Sequence, residues 1–346
     1  MFRSIFQGFI WACTLGFFAW AIGAIYYLNF LPQTFSAIAA VFYAISGPLM
    51  IWKMSDRNRA RLIMAASVIV VFLATQFIRP SNDRTWDADH AKVADVEVDD
   101  SLVTIRNFRN CYYRSESDYD VHFETKTFPL QDIETVWLIV QRFTERDSLA
   151  HVFLSFGLAS AVGDETGSGN GLDAANSDRY FSLSVEVRRE DGEVYGPVKG
   201  IYRNYELTHV IGDERDLIGV RTVHRPSDRV YMYKLNATPQ QAQQLFVSFA
   251  DRIAKLKQQP EFYHTFLNNC ANGITSRTYE LTPEPINWLD PRIVMPGYSG
   301  LFAFENGLVG DPTAEEFQTV ERASRIDVRA REVGITPTFS NDIRRR

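Results

Sequence analysis

The feature that most constrains this chain is its N-terminal quarter, where long stretches carry no charge. No charged residue occurs between Arg3 and Lys53, and none occurs between Arg61 and Arg79. A helix rises about 1.5 Å per residue, so roughly 20 apolar residues cross the hydrocarbon core of a bilayer. The apolar runs at about residues 6–28, 35–52 and 62–78 therefore predict three membrane-spanning helices, which form an anchor over residues 1–79.

The charges between the second and third runs predict how this anchor is oriented. The segment holds Lys53, Arg57, Arg59 and Arg61 against the single acid Asp56, and the turn between the first two runs holds no basic residue. The positive-inside rule places the N-terminus and this segment in the cytoplasm, so the third helix delivers residue 80 onward to the outside. A cleaved signal peptide is the alternative, but the first run is too long and two more spans follow it.

Composition excludes some classes of function. The net charge of −6 gives no reason to expect a nucleic-acid partner, which would need a basic face. The three cysteines are Cys13 in the first apolar run, Cys111 and Cys270, and no CxxC pair indicates a metal site. We expect neither a metal nor a cofactor. In an oxidising compartment a Cys111–Cys270 disulfide remains an open alternative.

The rest of the chain predicts a tether at residues 80–100, a folded domain at 101–335 and a tail at 336–346 whose closing arginines are solvated. Strands are expected at 135–143, 151–158, 180–188, 217–223 and 230–235, and the glycine-rich stretch 163–171 is expected to be a surface loop. Helices are expected at 239–257, about 270–281 and about 314–331. A strand-rich centre followed by helices indicates an α+β domain.

Cys270 is the residue most open to a chemical interpretation. It falls at a predicted helix start after Asn269, where backbone amides and the helix dipole stabilise a thiolate. A thiol nucleophile needs a base, and His151 opens an apolar strand where a sheet would present it to a cleft. In strand 180–188 the alternation places Ser184 and Glu186 on one face. The alternative is a buried, inert cysteine.

Several short motifs occur in the order found in one known family. They are Ala150-His151-Val152-Phe153-Leu154-Ser155-Phe156-Gly157, Ser184 to Glu190, Tyr195-Gly196-Pro197 before Gly200, Tyr205-Glu206-Leu207, Asp213 to Asp216, and Pro260-Glu261-Phe262-Tyr263 before Asn269-Cys270. Over roughly residues 80–330 the chain resembles the periplasmic domain at the N-terminus of Lnb-type bacterial lipoprotein N-acyltransferases. It departs from that family at Ala271, where the family usually has threonine, and in having its membrane helices before the domain.

The order of these residues also resembles permuted papain-like proteins such as the lecithin–retinol acyltransferases. That resemblance implies an antiparallel sheet packed with helices. It also implies that Cys270 attacks an ester carbonyl and that His151 accepts its proton. Glu186 or Ser184 would then orient the imidazole, and Asn269 or the amide of Cys270 would donate to the oxyanion.

Three further residues are predicted to bind substrate. Arg188 and Arg189 could receive a phosphate headgroup, since arginine forks suit phosphate. Tyr205 is the third residue predicted to bind substrate. The alternative for Arg188 is a structural pair with an acid, for which the candidates are Glu186, Glu190 and Glu206.

The resemblance therefore implies a multi-pass protein of the bacterial inner membrane whose C-terminal domain lies in the periplasm. The function it implies is a thiol-dependent acyltransferase or acyl hydrolase that acts on lipid or lipoprotein acyl chains through a cysteine thioester. Two alternatives remain open: a cysteine peptidase or amidase acting on cell-wall peptide, and a non-catalytic, membrane-anchored scaffold module. The sequence leaves the oligomeric state open.

Overall fold

The structure is a computed structural model that describes residues 2–28, 32–143, 146–159, 163–164, 179–278, 281, 287 and 290–345. Most of the loop predicted at 163–171 lies outside the described residues. The helices are α1 Phe2–Tyr26, α2 Gln33–Lys53, α3 Arg57–Thr75, α4 Glu214–Leu217, α5 Gly219–Thr222, α6 Pro239–Gln258, α7 Cys270–Thr278, α8 Ser299–Glu305, α9 Phe317–Ser324, α10 Asp327–Val333 and α11 Phe339–Asp342.

The strands are β1 Asp95–Asp99, β2 Leu102–Arg109, β3 Tyr112–Tyr113, β4 Tyr119–Asp120, β5 Phe123–Pro129, β6 Ile133–Arg142, β7 Ala150–Leu158, β8 Gly163–Asp164, β9 Tyr180–Arg188, β10 Glu206–Asp213 and β11 Arg229–Lys234. The chain divides into two compact units. The anchor unit comprises Met1–Ser81, Val194–Glu206 and Phe262–Thr265, and the sheet unit comprises Asn82–Glu193, Leu207–Glu261 and Phe266–Arg346.

Helices α1, α2 and α3 of the anchor unit are each long and apolar enough to cross a membrane. Their shared core holds Phe18, Ala21, Met64 and Val68, while many of their other large apolar side chains face outward. At the start of α3 the Asp56 carboxylate accepts hydrogen bonds from two backbone N–H groups and caps the helix. The predicted N-terminal region of three apolar helices is confirmed.

The sheet unit is built on a nine-stranded sheet with the order β11-β6-β7-β9-β10-β2-β5-β8, and β1 also pairs with β2. Strands β6, β7, β9 and β11 form the antiparallel part that carries the candidate site. The antiparallel sheet implied by the resemblance has one parallel junction, where β10 joins β2 at Gly212 and Arg109. A mixed sheet with helices still makes this an α+β domain, as predicted.

Both faces of the central strands are covered. On one face, the rings of Phe156, Phe181 and Phe246 pack together, which seats α6 on β7 and β9. On the other face, Phe153 lies in a buried cluster with Leu217 and Phe339, from α4 and α11. Because neighbouring residues in a strand point to opposite faces, His151 shares the face of Phe153, and Val152 shares that of Phe156.

Several sequence predictions require correction. The strand predicted at 217–223 is instead helices α4 and α5, which follow an N-cap made by Asp213. The helix predicted at about 314–331 breaks at Arg325 into α9 and α10, and the break places Arg325 beside Tyr231 as an isolated bridge to β11. Here a contact distant in sequence has overridden local helix periodicity.

The segments predicted as tether and tail are folded. In residues 80–100, Trp86 is buried and β1 pairs with β2. In the tail, Phe339 is fully buried and the guanidinium of Arg344 pairs with buried Glu214 while stacking on the ring of Tyr180. The prediction of solvated closing arginines is therefore wrong for Arg344, because a buried carboxylate needs a cation.

Candidate active site

Cys270 is the first residue of helix α7 and is almost completely buried. Asn269 precedes it, and the Oδ1 atom of Asn269 accepts a hydrogen bond of 3.0 Å from the N–H of Asn272, so that this side chain caps the helix. One turn on, Gly273 lets the helix approach β9 closely, since an added Cβ would lie 3.2 Å from a methyl group of Val185. The cap and the glycine together fix where the sulfur lies.

The sulfur lies where β7 and β9 cease to be paired. The two strands share antiparallel pairs as far as Phe153 and Ser184, and both continue beyond them. In this unpaired region the backbone N–H of Val152 and the imidazole of His151 both hydrogen-bond the sulfur of Cys270. A helix on one face of the sheet thus brings its thiol to a histidine that extends from the other face.

The imidazole is held from its other side by β9. Its Nε2 atom lies 2.7 Å from Oγ of Ser184 and 3.1 Å from Oε1 of Glu186. Ser184 in turn donates a hydrogen bond of 2.7 Å to Glu186. Because Nε2 is engaged by Ser184 and Glu186, Nδ1 is the ring nitrogen that remains to contact the thiol of Cys270.

Burial and charge act in opposite directions on this cluster. Burial alone would lower the pKa of His151, but the Glu186 carboxylate and the Cys270 sulfur raise it to about 9. Burial alone would raise the pKa of Cys270, yet the His151 charge, its hydrogen bond and the N–H of Val152 lower it. Both directions favour a thiolate paired with an imidazolium. The side chains of His151 and Glu186 are still 13% and 16% exposed, so a reactant can reach them.

Arg221 is the member of the cluster that the sequence prediction missed. It is buried on α5, donates a hydrogen bond of 2.7 Å to Oε1 of Glu186, and lies over the ring of Phe153. Its charge adds to that of His151 in holding the pKa of Glu186 well below the usual range, against burial. A signal was present, because Asp213 before a charged first turn is typical of a helix start, which would have placed Arg221 on a helix.

The predicted substrate-binding residues lie in other settings. Arg188 is buried, donates to the carbonyl oxygens of His90 and Ala91, and lies over the ring of Trp86. These contacts make Arg188 part of the packing of the sheet unit, so the headgroup role predicted for it is withdrawn. Arg189 forms an ion pair of 2.9 Å with Asp87.

Tyr205 belongs to the anchor unit, where it is fully buried. Its hydroxyl donates to the carbonyl oxygen of Val194 and accepts from the N–H of Gly196, at 2.9 Å each. Tyr205 therefore holds a loop of that unit in place.

The cysteines are unpaired. Cys111 and Cys270 are both buried free thiols, so the structure does not contain the disulfide considered as an alternative. Burial and the neighbouring carboxylate of Asp216 raise the pKa of Cys111 well above its usual value, the opposite of Cys270. Within the part of the chain that the structure describes, no group of three His, Cys, Asp or Glu residues could hold a metal ion.

The fold and the site together define an α+β domain built around a buried Cys–His–Glu cluster and preceded by apolar helices. Residues 119–290 match the family model described as the Lnb N-terminal periplasmic domain. This segment holds Cys270, His151, Ser184, Glu186 and Arg221, and the match confirms the family predicted from the motifs. No curated protein and no solved structure matched the chain. The protein is thus a membrane-anchored protein with a periplasmic domain.

Proposed function

We propose that this protein is a thiol-dependent acyltransferase or acyl hydrolase that acts on lipid or lipoprotein acyl chains at the outer leaflet of the bacterial inner membrane. In this proposal α1, α2 and α3 all cross that membrane with the N-terminus in the cytoplasm, as the basic residues between α2 and α3 favour. The sheet unit then lies in the periplasm.

The observation that carries the proposal is the contact between the Cys270 thiol and a histidine that a buried carboxylate holds from behind. An inert buried cysteine has a raised pKa, as Cys111 has. Cys270 instead has a lowered pKa beside a histidine whose pKa is raised. This pairing is the arrangement that thiol nucleophiles require, because the anion is the attacking species.

The residues support a two-step reaction. The Cys270 thiolate attacks an ester carbonyl carbon, and the backbone N–H of Cys270 at the helix start donates to the oxyanion. The ester C–O bond then breaks, and the leaving alkoxide takes the proton from Nδ1 of His151. An amine or water next attacks the thioester and gives its proton to Nδ1, which releases the acylated product and restores the thiolate. Glu186 and Ser184 hold the imidazole throughout.

A small cavity one helical turn beyond Cys270 is lined mainly by apolar side chains, with Thr275, Thr278 and Arg292 among them, and an apolar lining favours an acyl group over a peptide. Val152, which follows His151 in the chain, lines one side of it. Ile274, one helical turn beyond Cys270, lines the same side. Phe302, Ala303 and Leu308 line its far side. Its volume is about 30 Å³, the share of one water molecule in the liquid, so an acyl chain would enter by displacing side chains at its mouth.

The test is a transfer assay with the full chain in liposomes that contain labelled phospholipid and an acceptor lipopeptide. We expect acyl-enzyme formation on Cys270, and a loss of at least about 1,000-fold in rate in Cys270→Ala. Cys13→Ala, which removes a thiol from α1, should keep the rate. Product formed by Cys270→Ala at the normal rate would eliminate the proposal.

Purified muropeptides offered in the same assay separate the peptidase alternative from the proposed function. Consumption of muropeptide with phospholipid left intact would establish the peptidase or amidase. If neither substrate is consumed and the Cys270 thiol does not react with iodoacetamide, the scaffold interpretation holds instead.

A further inference from the structure

A loop far from the helices in sequence is part of the anchor unit. The loop Val194–Glu206 belongs to the same compact unit as the three apolar helices. Its hydrogen bonds to the helices are made at the helix ends. Arg203 donates to the carbonyl oxygen of Thr75 at 3.2 Å and to the side chain of Gln76 at 2.9 Å. Asn204 donates to the carbonyl oxygen of Tyr27 at 3.1 Å. The loop is therefore fixed to the C-terminal ends of α1 and α3.

These two helix ends lie at the same end of the bundle, opposite the basic segment between α2 and α3. In the proposed orientation that is the periplasmic end. The inference below uses this orientation of the helices, and it does not depend on the chemistry at Cys270.

Tyr202 shows how far down the helices the loop reaches. Its ring stacks on Tyr27, with centroids 5.2 Å apart, and lies 6.4 Å from the ring of Trp20. Its hydroxyl occupies the space beside Gly23, where an added Cβ would lie only 2.1 Å away. Gly23 is three residues before Tyr26, the last residue of α1, so the tyrosine reaches about 4.5 Å below the end of that helix. Tryptophan and tyrosine are enriched at this depth, at the boundary between headgroups and hydrocarbon.

The start of the same loop presents apolar side chains outward. Val194, Tyr195 and Val198 are 75%, 45% and 51% exposed. The loop backbone beneath them is held by the hydroxyl of Tyr205, which bonds both Val194 and Gly196, so these side chains are displayed by a fixed loop. Moving valine side chains out of water is favourable, which favours an apolar setting for this surface.

We propose that Val194, Tyr195 and Val198 form a membrane-contact surface that enters the headgroup region of the outer leaflet beside the three spans. The occupant of this apolar surface is the surrounding bilayer, because the loop is continuous with the helix ends that the bilayer itself surrounds. Lys199, next in the chain, supplies a cation suited to lipid phosphates. Phe262–Thr265 belongs to the same unit as this loop.

The test is nitroxide accessibility in the full chain, reconstituted in phosphatidylethanolamine–phosphatidylglycerol liposomes. A spin label is placed at Val198→Cys in a Cys13→Ala, Cys270→Ser background, and collision with oxygen is compared with collision with a soluble nickel chelate. We expect the label at 198 to meet oxygen more often than the chelate. The matched control is Val328→Cys, on α10 of the sheet unit, where the valine is 47% exposed and the chelate should dominate.

A third label at Val70→Cys, on an outward position of α3, reports whether the spans are in the bilayer. If the label at position 70 is protected from the chelate while the label at 198 is as accessible to it as the label at 328, the membrane-contact surface is refuted. If 70 is itself open to the chelate, the three-span orientation fails and the inference fails with it. Val194→Cys repeats the measurement should the label at 198 disturb folding. None of these outcomes depends on whether the protein transfers acyl groups.

Discussion

Nε2 of His151 lies 3.1 Å from Oε1 of Glu186, just beyond the last residue pair that strands β7 and β9 share. The same unpaired region admits the sulfur of Cys270 to the N–H of Val152. The end of strand pairing therefore leaves room for the Cys270 sulfur beside the N–H of Val152 and the imidazole of His151. If β7 and β9 were paired through this region, the N–H of Val152 would bond β9 and not the sulfur.

The first prediction concerns the reactivity of the thiols. The pKa of Cys270 is lowered and that of His151 is raised to about 9, so the thiolate–imidazolium pair persists from the lowered thiol pKa up to about pH 9. We expect iodoacetamide to alkylate Cys270 at pH 6–7, where an ordinary thiol is mostly protonated. Peptide mass mapping supplies an internal control, since Cys111 should stay unmodified in the folded protein. Equal labelling of both cysteines would contradict the assignment.

The second prediction concerns the carboxylate behind the imidazole. Glu186→Gln keeps the shape of the side chain and removes its charge, so the pKa of His151 should fall and that of Cys270 should rise. We expect acyl transfer to slow on the order of 100-fold at pH 7 and the alkylation profile of Cys270 to shift to higher pH. A variant with an unchanged pH profile would show that Glu186 has only a structural role.

The third prediction concerns the packing of α7 against β9. In Gly273→Ala the new methyl group would lie 3.2 Å from Val185 and push the start of the helix outward by a few tenths of an ångström. Alanine favours helix by about 1 kcal/mol over glycine, so we expect stability to be kept while activity falls about 10-fold or more. Adding Val185→Ala should restore the lost activity. Failure of that second change to help would place the defect elsewhere.

The fourth prediction concerns the C-terminal ion pair. Arg344 bonds both carboxylate oxygens of Glu214, and Arg344→Met would leave that carboxylate buried and unpaired. We expect a loss of about 3–5 kcal/mol in the free energy of unfolding, partly recovered by adding Glu214→Gln. Thermal unfolding in detergent measures it. Arg345→Met is the matched control, since the exposed pair of Arg345 with Asp342 should contribute less than about 1 kcal/mol.

The fifth prediction links stability to pH through Asp327. Burial would raise the pKa of this carboxyl, but ion pairs with Arg325 and Arg331 lower it below 3.8. A depressed pKa contributes stability above the unfolded value, near 4, and this contribution is lost as pH falls toward the folded value. Asp327→Asn should therefore destabilise the protein at pH 7 and much less near pH 3. Asp251→Asn, at an exposed position on α6, is the control and should change the stability by less than about 0.5 kcal/mol at pH 7.

Local patterns were sufficient to predict much of this fold. The uncharged runs predicted the three apolar helices, and the alternation at 180–188 predicted β9 with its observed bounds. The polar pair before Cys270 predicted a helix start there. Each of these depends on residues close in sequence, where periodicity and capping act directly.

What the sequence could not predict depended on distant partners. The run at 217–223 satisfies a strand pattern, but the cap at Asp213 and packing with Phe153 and Phe339 favour two short helices. For Arg188 the sequence left a headgroup role and an acidic partner open, and in the structure the segment around Trp86 packs over its guanidinium. For the candidate site, the resemblance predicted that Cys270 and His151 act together. The helix-start signal at Asp213 would have placed Arg221 on a helix, but its contact with Glu186 joins residues 35 apart and has no local signal.

The pairing of Arg344 with Glu214 and Ser155 joins positions 130 and 189 residues apart. During synthesis, the strands and the nucleophile helix emerge long before the cation that neutralises Glu214. If the domain is threaded outward through the membrane, it waits on the outer side with a buried carboxylate unmatched until residue 344 arrives. Arg344 is thus the residue whose synthesis allows the Glu214 carboxylate to be buried as an ion pair.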